Sequence, residues 1–287
     1  MMPPLYFPLR WESTGDQWWY ACPVDYAAAN GHYESTRELL RLDANNLIKF
    51  TSLSRIRRLE TVWDDNQHLL DVAKCRSQVA KKLYMEQANS LVRAGYGGWL
   101  LYTAASAGDL AFVRQLLQKH PLLVFGEGEY GVTDILYAAA RSKSSQVFML
   151  LFDYATSPRF DGEHVGEVVP AFRREMINRA IHAAARGGNV QVLRYFFQND
   201  CSPISDYKDV QGSTILHAAA SKGQVQVVRE LVSYCDTIIN ATDNQGNSAL
   251  HIAAYKGQFG VVESLVETSP STIFLKNNAG EPFDFVL

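Results

Sequence analysis

The stretch GSTILHAAASKGQVQVVRELV at residues 212–232 recurs as GNSALHIAAYKGQFGVVESLV at residues 246–266, offset by 34 residues. Self-similarity at a fixed period of about 20 to 50 residues is typical of folds that stack one supersecondary unit many times. The repeat therefore decides the fold before any isolated motif is considered. Fainter copies run over residues 23–40, 100–117, 135–152 and 180–197.

Each copy has the signals of two helices separated by a glycine. Alanine pairs such as Ala218 and Ala219 favour a short, closely packed helix, and Gly223 can end it in a left-handed conformation. The following VQVVRELV places apolar residues at the spacing of one buried helical face. The Asp, Asn and Gly residues between copies favour a tight turn. The same glycine position is occupied by Gly31, Gly108, Gly188, Gly223 and Gly257, and by Lys143 in one copy.

These residues resemble the ankyrin-repeat pattern D-x-x-G-x-T-P-L-H-x-A-A-x-x-G. The first strong copy matches it at Asp209, Gly212, Thr214, Leu216, His217, Ala219, Ala220 and Gly223. The second matches it at Asp243, Gly246, Leu250, His251, Ala253, Ala254 and Gly257. The stretches FPLRWESTGDQWWY at 7–20 and RAGYGGWLLYTAASAGDL at 93–110 also look like a group of plant ankyrin-repeat proteins.

The resemblance implies an all-α ankyrin-repeat solenoid with a short turn and two antiparallel helices per repeat, in one domain over residues 1–287. Repeats are expected to open near residues 21, 97, 131, 177, 212 and 246, with a partial repeat at 280. A helical insertion is predicted at about 45–97 and a long loop at about 156–172. The insertion is expected to be amphipathic because one helical face collects Leu69, Val72, Ala73, Val79, Ala80, Leu83 and Leu91.

Three histidines, His182, His217 and His251, occupy the same position of successive repeats, which favours a structural role over catalysis. The resemblance implies that this histidine forms bonds within and between turns. Outside the repeat, no Ser/His/Asp or Cys/His arrangement stands out, so no catalytic residue, metal ligand or cofactor is predicted. The four cysteines include no C-x-x-C pair, which indicates reduced thiols.

The stretch GEGEYG at 126–131 fits G-x-G-x-x-G and gives the main alternative, a nucleotide-binding enzyme through Gly126–Gly131. Glu127 and Glu129 would repel a phosphate, and no strand and helix alternation surrounds the stretch. The favoured interpretation is an acidic connector tip. If Leu136 and Tyr137 take the Leu-His positions, Gly131 lies one residue too early for the pattern, which predicts an extra residue in the connector.

A net charge of −3 argues against a general nucleic-acid binder, and no transmembrane segment is predicted. A cytoplasmic or nuclear location, or both, is expected. A second alternative is a peripheral membrane or acidic-partner module through the basic run of Arg55, Arg57 and Arg58. Aromatic residues near the start are expected to cover the open end of the stack, namely Trp11, Trp18, Trp19 and Tyr20.

The favoured function is a non-catalytic protein–protein interaction module, an adaptor or regulatory scaffold in plant signalling or in a stress or defence response. The partner is expected to be another protein, because turn tips and exposed parts of first helices are where the family, by resemblance, holds its partners. The predicted contact residues are Tyr130, Val210, Gln211, Gln245, Asn247, Arg186, Lys222, Tyr255 and Lys256.

Overall fold

The computed structural model describes residues 7–11, 18–21, 27–28, 30–42, 68–93, 95–127, 130–156, 159–160, 163–164, 170–199 and 206–283. The chain forms two compact units. Unit 1 comprises Met1–Ser142 and Ser157–Val165, and unit 2 comprises Lys143–Thr156 and Gly166–Leu287. The expectation of a single domain over residues 1–287 stays a prediction.

Unit 1 contains helices and three short antiparallel strand pairs, which the repeat pattern does not predict. The helices are α1 (Tyr33–Leu42), α2 (His68–Arg93), α3 (Gly97–Ala107), α4 (Leu110–Lys119), a 3-10 helix (Pro121–Phe125) and α5 (Val132–Arg141). The pairs are β1 (Phe7–Trp11) with β2 (Trp18–Ala21), β3 (Gly126–Glu127) with β4 (Tyr130–Gly131), and β5 (Arg159–Phe160) with β6 (Glu163–His164).

The predicted helical insertion is confirmed by α2, which packs against α3. Its buried face includes Ala73, Val79, Ala80, Leu83 and Leu91, all at or below 7% exposure. Burying this stripe stabilises the helix more than its intrinsic propensity does. The helix is interrupted at a single residue with non-helical dihedral angles, Gln87. The side chains of the other two residues of the predicted face, Leu69 and Val72, lie outside the described part.

Unit 2 is a series of helix pairs, and the all-α ankyrin-repeat fold is confirmed. The helices are α6 (Ser145–Thr156), α7 (Pro170–Gly187), α8 (Val190–Asn199), α9 (Ile215–Ala220), α10 (Val225–Tyr234), α11 (Ala249–Tyr255) and α12 (Phe259–Thr268). Two 3-10 helices follow α10 and α12, at Asp236–Asn240 and Pro270–Phe274. The segment predicted as a long loop at 156–172 contains β5, β6 and the start of α7.

The turn after each first helix has a left-handed residue, as the glycine positions predict. Gly223 has φ 68° and Gly257 has φ 65°. Lys143 takes the same conformation, with φ 57°, although it carries a side chain. A Cβ is strained in this region of dihedral space, so the lysine lies there at a cost in stability.

The beginning of α5 corrects the prediction of an extra residue in the connector. Gly131 is the N-cap of α5, and Thr214 is the N-cap of α9. The helix α5 has 10 residues and α9 has 6, so α5 is about one turn longer. The left-handed residues that follow them are Lys143 and Gly223. The additional residues therefore lie in a longer helix. Asp134 takes the third helical position, and its carboxylate accepts the Gly131 N–H at 3.3 Å. An acidic residue suits this position because the first amides of a helix lack partners within it.

Candidate partner-binding surface

The repeated histidine joins the inside of one repeat to the turn of the next. The Thr214 N–H donates to His217 Nδ1 at 3.2 Å, so the proton of the neutral ring lies on Nε2. That nitrogen donates to the Asn247 carbonyl at 2.8 Å. Each histidine of this kind therefore needs a carbonyl from further along the chain.

His251 repeats both bonds, and His182 repeats the bond to a carbonyl further along the chain. His251 accepts from the Ser248 N–H at 3.2 Å and donates to the Glu281 carbonyl at 3.1 Å. His182 lies 3.0 Å from the Tyr207 carbonyl. All three rings are buried, and burial lowers the pKa of His182 and His217 below the ordinary value. The rings are occupied in holding repeats together, as the resemblance implies, and each takes its partners from a different pair of repeats.

The turn tips between repeats are held by one acceptor side chain each. Asp243 Oδ1 accepts from the backbone N–H of Gln245 at 2.9 Å and of Asn247 at 2.8 Å. Asp209 and Asn277 hold the preceding and following tips in the same way. These aspartates are thus turn formers, since their carboxylates already accept backbone bonds.

Successive tips are also bonded to each other through the main chain. The Asn244 N–H donates to the Gln211 carbonyl at 2.9 Å, and the Asn278 N–H donates to the Gln245 carbonyl at 3.0 Å. The tip side chains remain accessible, and Val210 is 98% exposed. The result is a set of exposed side chains on a hydrogen-bonded backbone.

The predicted contact residues fall into three groups. Five are exposed, namely Val210, Gln211, Gln245, Tyr255 and Lys256. Arg186, Lys222 and Asn247 are half-buried. Asn247 also takes part in the turn, because its Nδ2 donates to Asp243 Oδ2 at 3.2 Å and its Oδ1 accepts from Asn277 Nδ2 at 3.2 Å. The side chain of Tyr130 lies outside the described part. A contact role for these residues stays a prediction.

A second row of residues, which the sequence reasoning missed, connects the turns after the first helices. Gln224 Nε2 donates to the Arg186 carbonyl at 3.1 Å. A Cβ on Gly223 would meet Gln258 Oε1 at 2.2 Å, so the glutamine side chain lies directly against the glycine. The signal was present, since Gln224 and Gln258 recur one residue after the turn glycine. These contacts bring Arg186, Lys222 and Lys256 onto one edge of unit 2.

The backbone around Gly126–Gly131 disfavours a phosphate loop. Gly126 pairs with Gly131, and Glu127 pairs with Tyr130. The carboxylate of Asp134 already lies at the N-terminus of α5, where a phosphate would have to bind. Residues 128–129 are outside the described ranges, as are Arg55, Arg57 and Arg58 and the side chains of Trp11, Trp18, Trp19 and Tyr20.

Two further observations concern only the residues that the structure describes. No group of three or more His, Cys, Asp or Glu side chains in that part could hold a metal ion. Likewise, none of the helices there is long and apolar enough to cross a membrane.

The family-model comparison agrees with the repeat geometry. A family model of ankyrin repeats matches residues 181–273 in three copies. A chain from the crystal structure of the yeast ribosomal protein Rps3 in complex with its chaperone Yar1 is 30% identical and covers 38% of this chain and 81% of that chain, with a TM-score of 0.35. None of the curated proteins compared with this chain matches it. The chain therefore carries three ankyrin repeats within residues 181–273.

Proposed function

We propose that the chain is a non-catalytic protein-interaction module that acts as an adaptor or regulatory scaffold. The observation that carries the proposal is the pair of main-chain bonds between turn tips, Asn244 to Gln211 and Asn278 to Gln245. A binding surface that is already ordered loses little conformational entropy when a partner binds. The side chains of Val210, Gln211 and Gln245 are exposed on this ordered backbone.

Most side chains of the first helices are buried, so few of them can contact a partner. Residues Ile215 to Ala220 of α9 are all buried. Exposure returns where the helices end, at Tyr255, the last residue of α11, and at Lys256, which follows it. The proposed surface therefore consists of turn tips on one side and helix-ending turns on the other.

We further propose that this module acts in plant signalling or in a stress or defence response, within the cytoplasm or nucleus. It is supported by the resemblance of residues 7–20 and 93–110 to a plant ankyrin-repeat group. The partner would be a protein of that response.

Affinity capture from plant cell extract, followed by mass spectrometry, tests the proposal. The surface variant replaces four residues by alanine, namely Gln211, Lys222, Gln245 and Tyr255. The control variant replaces four exposed residues associated with second helices, namely Ser233, Asp236, Glu263 and Glu267. We expect the wild type and the control to retain the same captured protein, and the surface variant to lose it at an unchanged melting temperature.

Two results would contradict the proposal. If the surface variant captures as much of the partner as the wild type does, the assigned residues do not contribute to the interface. A fall in its melting temperature large enough to account for the loss of capture by unfolding would show that the residues are structural. Saturable heat on calorimetric titration of ATP or NAD into the wild type would favour the nucleotide-enzyme alternative instead.

A further inference from the structure

The last described repeat leaves an apolar face partly open, and the repeat before it shows how such a face is covered. The two repeats are offset by 34 residues, so each position of one has a copy in the other. Four apolar positions that are buried in the earlier repeat are half-buried in the later one. They are Ala218, Val228, Val232 and Ile239, each at most 8% exposed, and their copies Ile252, Val262, Val266 and Ile273.

The start of α12 adds an exposed aromatic ring to this face. A Cβ on Gly260 would meet Val225 Cγ2 at 3.2 Å, so the Val225 position faces the following repeat. Its copy in the last described repeat is Phe259, which is 76% exposed. The name terminal face is used below for Ile252, Phe259, Val262, Val266 and Ile273.

The turn glycines at the border of the terminal face indicate what kind of element fits it. Gly223 is covered by the amide side chain of Gln258 from the following repeat. At the same position of the last described repeat, Gly257 has no described atom within 4 Å of an added Cβ. Gly280 is uncovered as well, whereas the preceding tip glycines meet asparagine side chains. A further helix-pair repeat, with amide side chains in its turns, would complete both contacts.

One position of the second helix carries a polar contact between repeats. Arg194 Nε donates to Glu230 Oε1 at 2.6 Å, and Arg229 Nε donates to Ser264 Oγ at 3.4 Å. Each arginine lies six residues after a left-handed turn residue. Each partner lies seven residues after the left-handed residue of the following repeat. In the last described repeat, Glu263 occupies the arginine position.

Glu263 reverses the charge of this position. The five preceding repeats have arginine there in four cases and methionine in one, namely Arg37, Arg114, Met149, Arg194 and Arg229. Glu263 is exposed, and its carboxylate forms no ion pair within the described part of the chain. Glu267, also exposed, lies one turn later on α12, and like charges at this spacing repel each other. A positive group at this edge would therefore be attracted by both carboxylates.

We propose that the terminal face docks a helix-pair repeat of a second partner protein, with a lysine or arginine of that repeat against Glu263. Burial of Phe259 and its apolar neighbours drives the association, and the charge pair selects the partner. The terminal face is separate from the residues assigned above to the turn-tip surface. This proposal therefore goes beyond the proposed function and does not depend on it.

A second copy of this chain matches the terminal face less well than another protein does. The positions that would meet Glu263 in such a stack are Glu38, Gln115, Leu150, Tyr195, Glu230 and Ser264. None of these residues is basic, so a stacked copy would bring no positive charge to the carboxylate. Residues 284–287 are too few for a helix pair, because one helical turn takes about 3.6 residues.

Binding of a designed repeat protein to the full chain, measured by isothermal titration calorimetry, tests the proposal. The probe joins three copies of residues 242–275, because about three repeats are needed for a stable array. Its first copy carries Ser264→Arg, which places a cation opposite Glu263. Its last copy carries Phe259→Ser and Val262→Gln, which keeps probes from stacking on one another. A second probe differs only in having Ser264→Glu in its first copy.

We expect the arginine probe to bind the wild type at least about tenfold more tightly than the glutamate probe does. In Glu263→Arg the preference should reverse, which a loss of folding cannot produce. Phe259→Ser should weaken binding of the arginine probe about tenfold or more, since a buried ring is lost. The matched control is Phe274→Ser, with a ring that is 78% exposed and a copy, Asn240, that stays exposed although a repeat follows it. The control should bind within about twofold of the wild type.

Equal affinity of the two probes for the wild type would overturn the proposal, as would binding of neither. Dimerisation of the wild type that is lost in Phe259→Ser, seen by analytical ultracentrifugation, would also overturn it, because a second copy would then cover the face. The capture control of the proposed function already lacks Glu263, so its captured protein is the turn-tip partner. Failure of that capture leaves this proposal standing, and failure of probe binding leaves the proposed function standing.

Discussion

His217 Nε2 donates to the main-chain carbonyl of Asn247 at 2.8 Å, and this bond crosses from one repeat to the next. The ring is 2% exposed, so water cannot replace a lost partner. Because the same ring accepts from the Thr214 N–H, one side chain satisfies polar groups in two repeats.

Replacing His217 by alanine should lower the free energy of unfolding by about 1–3 kcal/mol, because the Thr214 N–H and the Asn247 carbonyl lose their partner. Urea denaturation at pH 8 measures the change. His32→Ala serves as control, since His32 is exposed. A His217 variant as stable as the His32 variant would show that the inter-repeat bond contributes nothing.

Stability should fall as the pH is lowered through about 6.5. Burial lowers the pKa of His182 and His217 in the folded chain, so the unfolded chain binds protons first as the pH falls. Their contribution is complete above about pH 6.5 and is lost progressively below it. Urea midpoints at pH 8.0, 6.5 and 5.5 should decrease in that order. In His217→Gln the decrease should be smaller, and a midpoint that rises towards pH 5.5 would contradict the assignment.

Two tip glycines form a matched pair for separating backbone strain from close packing. Gly246 has φ 80° and Gly280 has φ 78°. A Cβ on Gly246 would meet the Asn278 main-chain nitrogen at 2.6 Å, whereas a Cβ on Gly280 would meet nothing within 4 Å.

Gly280→Ala should therefore cost only the strain of the left-handed conformation, about 1–2 kcal/mol. Gly246→Ala should cost more, because the next turn tip has to move. Thermal unfolding of both variants provides the comparison. Equal losses would mean that the packing of one tip on the next adds nothing beyond dihedral strain.

Lys143→Gly should stabilise the protein by about 1 kcal/mol, since glycine takes φ 57° without the steric cost of a Cβ. Lys143→Ala keeps the Cβ and should give little or no gain. Chemical denaturation of the two variants distinguishes relief of strain from removal of a charge, which both substitutions share. A gain of the same size in Lys143→Ala would point to charge.

The sequence predicts those parts of the molecule that repeat with a fixed period. The left-handed turn residues, including Lys143, follow from the spacing of the glycines, and the buried face of α2 follows from helical periodicity. The strand pair β1–β2 and the added turn of α5 do not recur, so no internal comparison reveals them. The contact of Gln258 with Gly223 does recur, but a glutamine in a turn is an ordinary surface residue until its neighbouring repeat is in place.

The direction of the histidine bonds has a consequence for how this gene region can change in length. His217 and His251 each bond to a carbonyl 30 residues further along the chain, and their sequence units recur every 34 residues. Tandem duplication of any window of one full period in this region would place a new histidine upstream of a new turn at the same separation. Such an array can gain or lose a copy by recombination, and the contacts at the junction are then the same as those between the existing repeats.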